Sequence, residues 1–461
     1  MSRVLMCWVV AWMGVVCSAV ALGTRPNILF ILVDDLGWAD VGYQNPEVSE
    51  TPRVDRLAEE GVVFQSAYAA AVCSPSRAEI LTGRSPASLK LTSHIPGIGF
   101  EQYYPRKRQP THRLWDAAMV DHLPLEEVTI AEALKSAGYA TGFFGKWHLG
   151  GAGSVYTTNG VVNAAWHPQH QGFDVNVGGC AYGEPSGHGG KAYLSPYANA
   201  ELPDGPNGEY LTDRLADETI AFMRDCGERP FFAFLGFYSI HLPHVFNPAV
   251  AERASTDYGR MLVSMDDAVG RVLDALDRLG LRNDTLVVFT SDNGGTRSQQ
   301  PLRGAKGTLY EGGIRVPLII RLPGTTPGGR IVDVPVAAAD FFPTLLEVAS
   351  VPVPSDAKQL DGVSYYGLLT GDVVYEPHPV FQHFPHHRTG TAFQGASTIR
   401  LGDWKLKWNH EAESCELYNL GRDLGESENC AADCPEQTDR LKVMLFDWLK
   451  KTDANMPRRV E

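Results

Sequence analysis

The alternation of continuously apolar segments with amphipathic ones limits the possible folds of this chain most strongly. Segments with the apolar character of strands buried on both faces occur at 26–33, 140–144, 231–237 and 286–290. Amphipathic segments that predict helices lie between them, at 54–60, 129–136, 211–225 and 258–279. Strands that alternate with helices in this order predict an α/β fold, with a large, mostly parallel sheet flanked by helices.

The pattern changes near residue 375, after which the apolar segments become short. Strands predicted at 398–400, 404–408 and 416–419 precede one closing helix at 436–450. Short strands that follow one another without intervening helices predict a short antiparallel sheet. We therefore expect a larger N-terminal domain at 22–375 and a smaller C-terminal α+β subdomain at 376–461.

Residues 1–21 predict a signal peptide that is removed after Ala21. Arg3 precedes an apolar run at 4–16, and small residues follow it. A retained membrane anchor is the alternative, but the run is shorter than the roughly 20 residues that a spanning helix needs. A lipoprotein modified at Cys17 is a second alternative, which the bulky residue before it disfavours. We expect an exported protein, periplasmic or secreted, with no membrane span after cleavage.

The charge balance of the chain is acidic, with 54 Asp and Glu residues against 40 Lys and Arg residues. Nucleic acid is therefore not expected as a partner, because phosphate binding relies on a basic surface. An anionic substrate would have to be attracted by local cations rather than by the net charge of −14. Export permits disulfides, but an odd number of cysteines remains outside the signal peptide once Cys73 is set aside. These are Cys180, Cys226, Cys415, Cys430 and Cys434.

Polar side chains follow four of the predicted strands at their carboxyl ends, where open α/β sheets bind ligands. They are Asp34, Asp35, Lys146, His148, His241, Asp292 and Asn293. Any one of them alone would be read as a turn or cap residue, and it is the set that predicts a site. Asp34, Asp35, Asp292 and Asn293 offer hard oxygen ligands, which suit calcium or magnesium better than zinc.

A cysteine stands at the start of a predicted helix, in the segment CSPSRAEILTGR at 73–84. Arg77 lies four residues after Cys73 and so shares one helix face with it. A second segment, GYATGFFGKWH, occupies 138–148. Read alone, the first segment is an ordinary helix start with proline in its first turn. Together the two segments resemble the signature sequences of the formylglycine-dependent sulfatases, a type I family related in fold to alkaline phosphatase. The resemblance extends from residue 26 to about the C-terminus.

The resemblance implies an alkaline-phosphatase-like fold and a formylglycine (3-oxoalanine) formed from Cys73 by a formylglycine-generating or sulfatase-maturing enzyme. It also implies that Asp34, Asp35, Asp292 and Asn293 bind Ca²⁺ beside the modified Cys73. The hydrated aldehyde would carry two hydroxyls. One would attack sulfur, and the other would later release sulfate and restore the aldehyde.

The same resemblance assigns roles to the cationic and imidazole side chains. Arg77 would orient the hydrated aldehyde and screen the charge of the metal site. Lys146 would hold a sulfate oxygen, and His148 would take the proton from the second hydroxyl. His241 would protonate the leaving alcohol oxygen, a step that suits imidazole near neutral pH. Lys306 would bind the sulfate and the bridging oxygen as charge grows there.

Two groups of histidines have more than one reading. His244 is a candidate substrate contact or an anchor for the loop after its strand. His383, His386 and His387, in the segment 381–387, could be metal ligands, a sugar subsite or part of a solvated loop. A second metal site is disfavoured because no ligands occur at structural zinc spacing. We expect His383 or His386 to contact substrate.

The resemblance implies hydrolysis of sulfate monoesters, and we expect the substrate to be a sulfated carbohydrate in preference to an aryl sulfate. A phosphonate or phosphodiester hydrolase with the same formylglycine chemistry is the first alternative. A catalytically inactive protein that binds sulfated glycans is the second. Specificity should reside in the segments 85–125 and 150–207 and in a C-terminal loop, which carry aromatic and histidine side chains suited to sugar faces.

Overall fold

The computed structural model describes residues 25–47, 50–95, 113–150, 164–185, 193–199, 201–371, 375, 377–386 and 395–459. The predicted signal peptide and His387 lie outside the described residues, as do parts of both predicted specificity segments. Within the described ranges, no helix has the length and apolar character needed to cross a membrane.

Strands and helices alternate through most of the chain. The strands are β1 (Asn27–Val33), β2 (Val62–Phe64), β3 (Ala67–Tyr68), β4 (Leu114–Trp115), β5 (Ala140–Gly145), β6 (Val175–Val177), β7 (Phe231–Gly236), β8 (Thr285–Ser291), β9 (Arg315–Val316), β10 (Leu318–Arg321), β11 (Arg330–Val332), β12 (Val336–Ala337), β13 (Val380–Phe384), β14 (Ala396–Leu401), β15 (Trp404–Asn409), β16 (Ser414–Asn419) and β17 (Arg458–Arg459). The α-helices are α1 (Pro52–Glu60), α2 (Cys73–Thr82), α3 (Pro86–Leu89), α4 (Ile130–Ser136), α5 (Leu211–Asp225), α6 (Asp257–Arg278), α7 (Glu311–Ile314), α8 (Phe341–Val348), α9 (Tyr366–Thr370) and α10 (Pro435–Lys451).

The large sheet has the strand order β11-β2-β10-β8-β1-β7-β5-β6. Strands β8, β1, β7, β5 and β6 are parallel, and β10 runs antiparallel to both of its neighbours. In register, Leu32 of β1 lies between Gly236 of β7 and Thr290 of β8. The carboxyl ends of these strands therefore meet at one edge, and the predicted mostly parallel sheet is confirmed.

Both faces of the sheet are buried, which explains the continuous apolar character of its central strands. Phe30 of β1 points into a layer that includes α2, α4 and α8, and it stacks on Phe234 with ring centroids 5.0 Å apart. Ile31, the next residue, points into the opposite layer with α1, α5 and α6. Burial of each such side chain contributes about 1.5–3 kcal/mol. The two layers hold the strand ends in fixed positions.

The C-terminal part forms a second sheet with the order β13-β14-β15-β16, antiparallel throughout. Helix α10 packs on it, with Leu441 and Leu445 against Ile399 and Leu406. This confirms the predicted small α+β subdomain. Its first strand, β13, was not predicted, and the solvated-loop reading of residues 381–384 is wrong because this segment is a largely buried strand. The boundary at 375–376 stays a prediction.

Candidate active site

Four strand ends supply the side chains of the site. Asp34 and Asp35 follow β1, Lys146 follows β5, Asp292 follows β8, and His241 lies five residues past β7. Backbone hydrogen bonds tie these ends together, since Asp34 N donates to Ser239 O at 2.9 Å and Asp292 N donates to Val33 O at 3.2 Å. The positions of the carboxylates are therefore set by the sheet itself.

Cys73 lies at the amino end of α2 and is 2% exposed. Its Sγ lies 3.6 Å from Asp34 Oδ1 and 3.2 Å from Lys306 Nζ. The candidate ligand atoms of Asp34, Asp35, Cys73 and Asp292 all lie within 4.8 Å of one another, and all four residues are buried. The structure thus brings together the cysteine and the three carboxylates that the sequence pattern pointed to.

These residues fit a hard divalent cation. Asn293 Nδ2 donates to Asp35 Oδ1 at 2.8 Å, whereas the buried Asn293 Oδ1 has no hydrogen-bond partner among the described residues. Burial, followed by the neighbouring Asp292 carboxylate, raises the pKa of Asp34 to about 7 despite the nearby Lys146. A divalent cation would offset this cost, and carboxylate and amide oxygens are the ligands that calcium and magnesium prefer.

Three cationic side chains balance the three carboxylates. Lys146 pairs with Asp34, and Lys306 pairs with Asp35. Arg77 contacts Asp292 through Nε and Nη2, each at 2.8 Å, and its Nη1 donates to the carbonyl oxygen of Lys146. Burial lowers the pKa of Lys306, but the carboxylates, Asp35 first, outweigh it and raise this pKa well above its usual value. A bound divalent cation would make the site positive and able to attract an anion.

His148 occupies a left-handed backbone conformation with φ of 59°. Its ring Nε2 lies 2.9 Å from the carbonyl oxygen of Ile95, which only accepts, so Nε2 carries the hydrogen. The buried Nδ1 has no partner within the described part of the chain. Burial, and then Lys146, lowers the pKa of His148 well below its usual value. The ring is therefore neutral, with the lone pair of Nδ1 unused.

Ser74 positions His148 and was not singled out from the sequence. Its Oγ donates to the carbonyl oxygen of His148 at 3.0 Å and accepts from the backbone N–H of Ile95 at 3.0 Å. Ser74 therefore links the residue that carries the imidazole to the residue that fixes its ring. Its place beside Cys73 in the first signature segment was the available signal.

His241 faces the carboxylate cluster, with Nε2 4.0 Å from Asp35 Oδ2. Its Nδ1 lies 2.6 Å from the carbonyl oxygen of Leu242 and donates to it. Burial, followed by Lys146 and Lys306, lowers the pKa of His241 to about 3 although Asp35 opposes the shift. The imidazole is therefore neutral, with Nε2 directed toward the site.

The remaining predicted histidines lie in different surroundings. The half-buried ring of His244 meets Tyr258 edge to face at 5.3 Å, and its Nε2 has no partner in the described ranges. His383 lies on β13, where Nδ1 bonds Ser397 Oγ at 2.7 Å and Nε2 bonds the carbonyl oxygen of Asn455 at 3.0 Å. Both of its nitrogens are thus used within the protein. The structure does not bring His383 to the cluster around Cys73.

His386 is also buried and bonded within the protein. Its Nε2 lies 2.7 Å from Thr92 Oγ1, and its Nδ1 lies 3.9 Å from Asp116 Oδ2. These contacts join the end of β13 to the segment after α3. A role for His386 in substrate binding stays a prediction.

Two family models match this chain. The model described as Sulfatase matches residues 26–351, which include every residue of the Cys73 cluster. The chain belongs to the sulfatase family. A second model, described as N-sulphoglucosamine sulphohydrolase, C-terminal, matches residues 305–454. This sulfatase is accordingly a sulfuric ester hydrolase.

Relatives align with nearly the whole sulfatase chain. A sulfatase of Formosa agariphila is 32% identical, over 93% of this chain and 90% of its own length. N-acetylgalactosamine-6-sulfatase of Canis lupus familiaris is 30% identical, over 90% of this chain and 78% of its own. The crystal structure of Ps i-CgsB in complex with k-i-k-neocarrahexaose superposes with a TM-score of 0.75 at 26% identity. That match covers 92% of this chain and 93% of the other.

Proposed function

We propose that this sulfatase removes sulfate from a carbohydrate by means of a formylglycine made from Cys73 and a calcium ion held by Asp34, Asp35, Asp292 and Asn293. The observation that carries the proposal is the position of Cys73, whose Sγ lies among three carboxylates within 4.8 Å and 3.2 Å from Lys306. A single buried side chain thus faces both the candidate cation ligands and a candidate sulfate ligand.

The thiol of Cys73 is unsuited to act as the nucleophile itself. Burial raises its pKa to about 12, although Lys146 and Lys306 act in the opposite direction. A protonated thiol is a weak nucleophile. Oxidation by a maturing enzyme would replace it with an aldehyde, whose hydrate carries two hydroxyls. One would attack sulfur, and the other would lose its proton and re-form the aldehyde, which breaks the C–O bond to the sulfate and releases it.

Calcium, when bound, would supply Lewis-acid polarisation at the position of Cys73. Arg77 fixes Asp292 through two contacts of 2.8 Å and so keeps one of the proposed ligands in place. Asn293 is fixed by its donation to Asp35, which leaves its free Oδ1 available as a neutral ligand. These contacts orient the proposed ligand set before any substrate arrives.

Lys146 and Lys306 would bind oxygens of the sulfate group, since both ammonium groups already lie at the carboxylate cluster. Lys306 also touches Cys73, which supports a role for its ammonium group in stabilising the charge that grows on the bridging oxygen. His148 would accept a proton at Nδ1, because its other nitrogen is held by the carbonyl oxygen of Ile95. The protein around it keeps the ring neutral and ready to accept.

His241 would donate a proton to the leaving alcohol from Nε2, the nitrogen that faces the site. Its pKa is lowered by burial and by the two lysines. A sulfate bound against Lys146 and Lys306 would neutralise their charge, so we expect the pKa of His241 to rise when substrate binds. The proton donor would then form only in the enzyme–substrate complex.

A carbohydrate substrate is supported by relatives rather than by the described residues. One relative is an N-acetylgalactosamine-6-sulfatase, and one similar structure holds a neocarrahexaose. The predicted signal peptide supports export to the periplasm or the medium, where sulfated polysaccharides are encountered. Both conclusions are proposals for this chain.

Peptide mass spectrometry joined to activity assays tests the proposal. Active protein should carry, at Cys73, an exchange of sulfur for oxygen with the loss of two hydrogens. It should hydrolyse nitrophenyl sulfate, and a calcium chelator should abolish that activity. The control is Cys226→Ala, which removes a half-buried cysteine outside the site and should leave activity unchanged.

Three other results would contradict the proposal. Full activity from wholly unmodified Cys73 protein would remove the need for formylglycine. Preference for a phosphonate or a phosphodiester would support the first alternative function. Tight binding of sulfated sugars without turnover of any substrate would support a binding protein.

A further inference from the structure

A cavity of about 460 Å³ lies beside the Tyr258 ring. We call it the Tyr258 cavity. It is lined by side chains that include Asp40, Glu47, Glu50, Arg253, Tyr258 and Arg297. Its volume lies in the range of small-molecule sites, about 300–1,000 Å³, and can hold a sugar unit. The mechanism proposed above uses none of these side chains.

The Tyr258 ring connects the cavity to the segment that carries His241. Tyr258 donates to Asp40 Oδ2 at 2.7 Å, and its ring meets His244, three residues after His241. Arg297 follows Asp292 by five residues, which limits the separation of their Cα atoms to about 18 Å. A substrate attacked at Cys73 could therefore extend into this cavity.

Arg297 is the side chain of the Tyr258 cavity best suited to an anion. Its exposed guanidinium lies over the Tyr258 ring at 4.7 Å, and in the described part of the chain it forms no ion pair or hydrogen bond. The other arginine that lines the cavity, Arg253, is already paired with Asp267. An arginine fork binds sulfate or carboxylate oxygens in pairs, so Arg297 has unused capacity for such a group.

The cavity also presents carboxylates. Glu47 and Glu50 line it, and both side chains are exposed in this acidic protein. Carboxylates accept hydrogen bonds from hydroxyl groups but repel anions. The Tyr258 cavity therefore offers carboxylate acceptors for hydroxyl groups and the Arg297 guanidinium for an anionic group, and a sulfated or carboxylated sugar ring carries both kinds of group.

We propose that the Tyr258 cavity binds the sugar ring next to the one that loses its sulfate, and that Arg297 binds an anionic substituent of that neighbouring ring. This inference rests on the proposed carbohydrate substrate. It makes Arg297 a specificity-determining residue, because its contact exists only when the neighbouring ring is charged.

Paired substrates test the inference. The probes are sulfated disaccharides from glycosaminoglycans and carrageenans, prepared in pairs that differ only in a sulfate on the ring next to the scissile one. Arg297→Ala should lower kcat/KM about 10- to 100-fold on the doubly sulfated member, mainly through KM, as expected for one bidentate ion contact. The loss should be small on the singly sulfated member and absent on nitrophenyl sulfate.

Two further variants keep the result interpretable. Arg224→Ala removes an exposed arginine outside the Tyr258 cavity and so controls for the change in net charge. Ser255→Trp places a bulky ring at an exposed position lining the cavity and should reproduce the loss on disaccharides while sparing nitrophenyl sulfate. Equal losses on all substrates, or no loss for Arg297→Ala, would overturn the inference.

The two proposals fail in distinguishable ways. Nitrophenyl sulfate is too short to reach the Tyr258 cavity while its sulfate group is bound at Cys73. Its turnover by the unchanged protein therefore tests the proposed function alone. The ratio between the paired disaccharides tests the cavity alone. If nitrophenyl sulfate is hydrolysed and the ratio does not change in Arg297→Ala, the cavity inference is wrong and the proposed function stands.

Discussion

The active site and the junction between α7 and the C-terminal sheet both bury charged side chains, but they satisfy them differently. At the junction, Lys405 Nζ lies 2.8 Å from Glu311 Oε1 and 2.8 Å from Glu426 Oε1. Glu311 Oε2 accepts from the Tyr68 hydroxyl at 2.8 Å and from Arg315 Nη1 at 3.2 Å. Each oxygen of Glu311 thus has a cation or a hydroxyl from the protein.

The active site contains buried polar atoms that have no hydrogen-bond partner from the described protein. Asn293 Oδ1 and His148 Nδ1 are buried and have no partner among the residues that the structure describes. Burial, followed by the Asp292 carboxylate, raises the pKa of Asp34 to about 7, and burial raises the pKa of Glu426 at the junction to about 7 as well. Burial of charge alone therefore does not mark a site. Unpartnered polar atoms alone do not mark one either, since Trp38 Nε1 and the Tyr365 hydroxyl are also buried without a partner in the described ranges. The site is marked by the unpartnered Asn293 Oδ1 beside the carboxylates around Cys73.

We expect substitutions at the active site to lower kcat/KM and substitutions at the junction to lower the free energy of unfolding. The largest expected effect is at His241. His241→Ala should lower kcat/KM on a sugar sulfate roughly 100- to 10,000-fold, since an alkoxide leaving group depends on general acid catalysis. The loss on nitrophenyl sulfate should be far smaller, because its phenolate needs little protonation. Steady-state assays on both substrates measure the difference.

The stability of His241→Ala should match that of the unchanged protein in thermal unfolding. His170→Ala, at an exposed histidine, is the control for both measurements. Equal losses on the two substrates would show that His241 does not protonate the leaving oxygen.

The next effect is at the junction. Lys405→Met should lower the free energy of unfolding by about 3–5 kcal/mol, because it leaves Glu311 and Glu426 buried without their shared cation. Turnover of nitrophenyl sulfate by the folded variant should stay close to that of the unchanged protein. Urea unfolding and a parallel assay measure the two quantities.

The control is Lys450→Met, which removes an exposed lysine from the end of α10. It should have little effect on the free energy of unfolding or on the turnover of nitrophenyl sulfate. If Lys405→Met lost activity but no stability, the junction would have to be regarded as part of the catalytic machinery.

The smallest expected effect is a rise in Tm on calcium binding, which should depend on the active-site carboxylates and not on the junction. A ligand at 100 times its Kd stabilises by about 2.7 kcal/mol, which raises Tm by about 3 °C for a chain of this size. Calcium should produce such a shift in the unchanged protein and in Lys405→Met. Asp292→Asn should abolish it while keeping an oxygen acceptor for Arg77. Differential scanning calorimetry with and without calcium measures this, and a persistent shift in Asp292→Asn would exclude Asp292 as a ligand.

Much of the fold could be predicted because its main strands are buried on both faces. Strands β1, β5, β7 and β8 appear in the sequence as apolar runs that need no partner to be recognised. Strand β13 was missed because polar Gln382 and His383 interrupt its apolar character, although both side chains are buried. Their environment depends on pairing with β14, and the sequence alone does not reveal that register.

The buried charged residues also divide into those that the sequence could predict and those that it could not. Residues at the carboxyl ends of parallel strands could be predicted to converge, as Asp34 and Asp292 do, because the topology places them together. The junction could not be predicted, since Lys405 lies on β15 and Glu311 begins α7, 94 residues earlier in the chain. The Tyr258 cavity was missed for the same reason, as its walls come from separate segments.

The burial of Cys73 also determines whether its modification can occur before or after the chain folds. With 2% of its surface exposed, Cys73 is out of reach of the active site of any other enzyme once the chain has folded. If Cys73 is oxidised as proposed, the modification must precede folding and compete with it in time. Molecules that fold first would be trapped as inactive protein with an intact thiol. Slower folding during export, rather than more calcium afterwards, should then increase the active fraction.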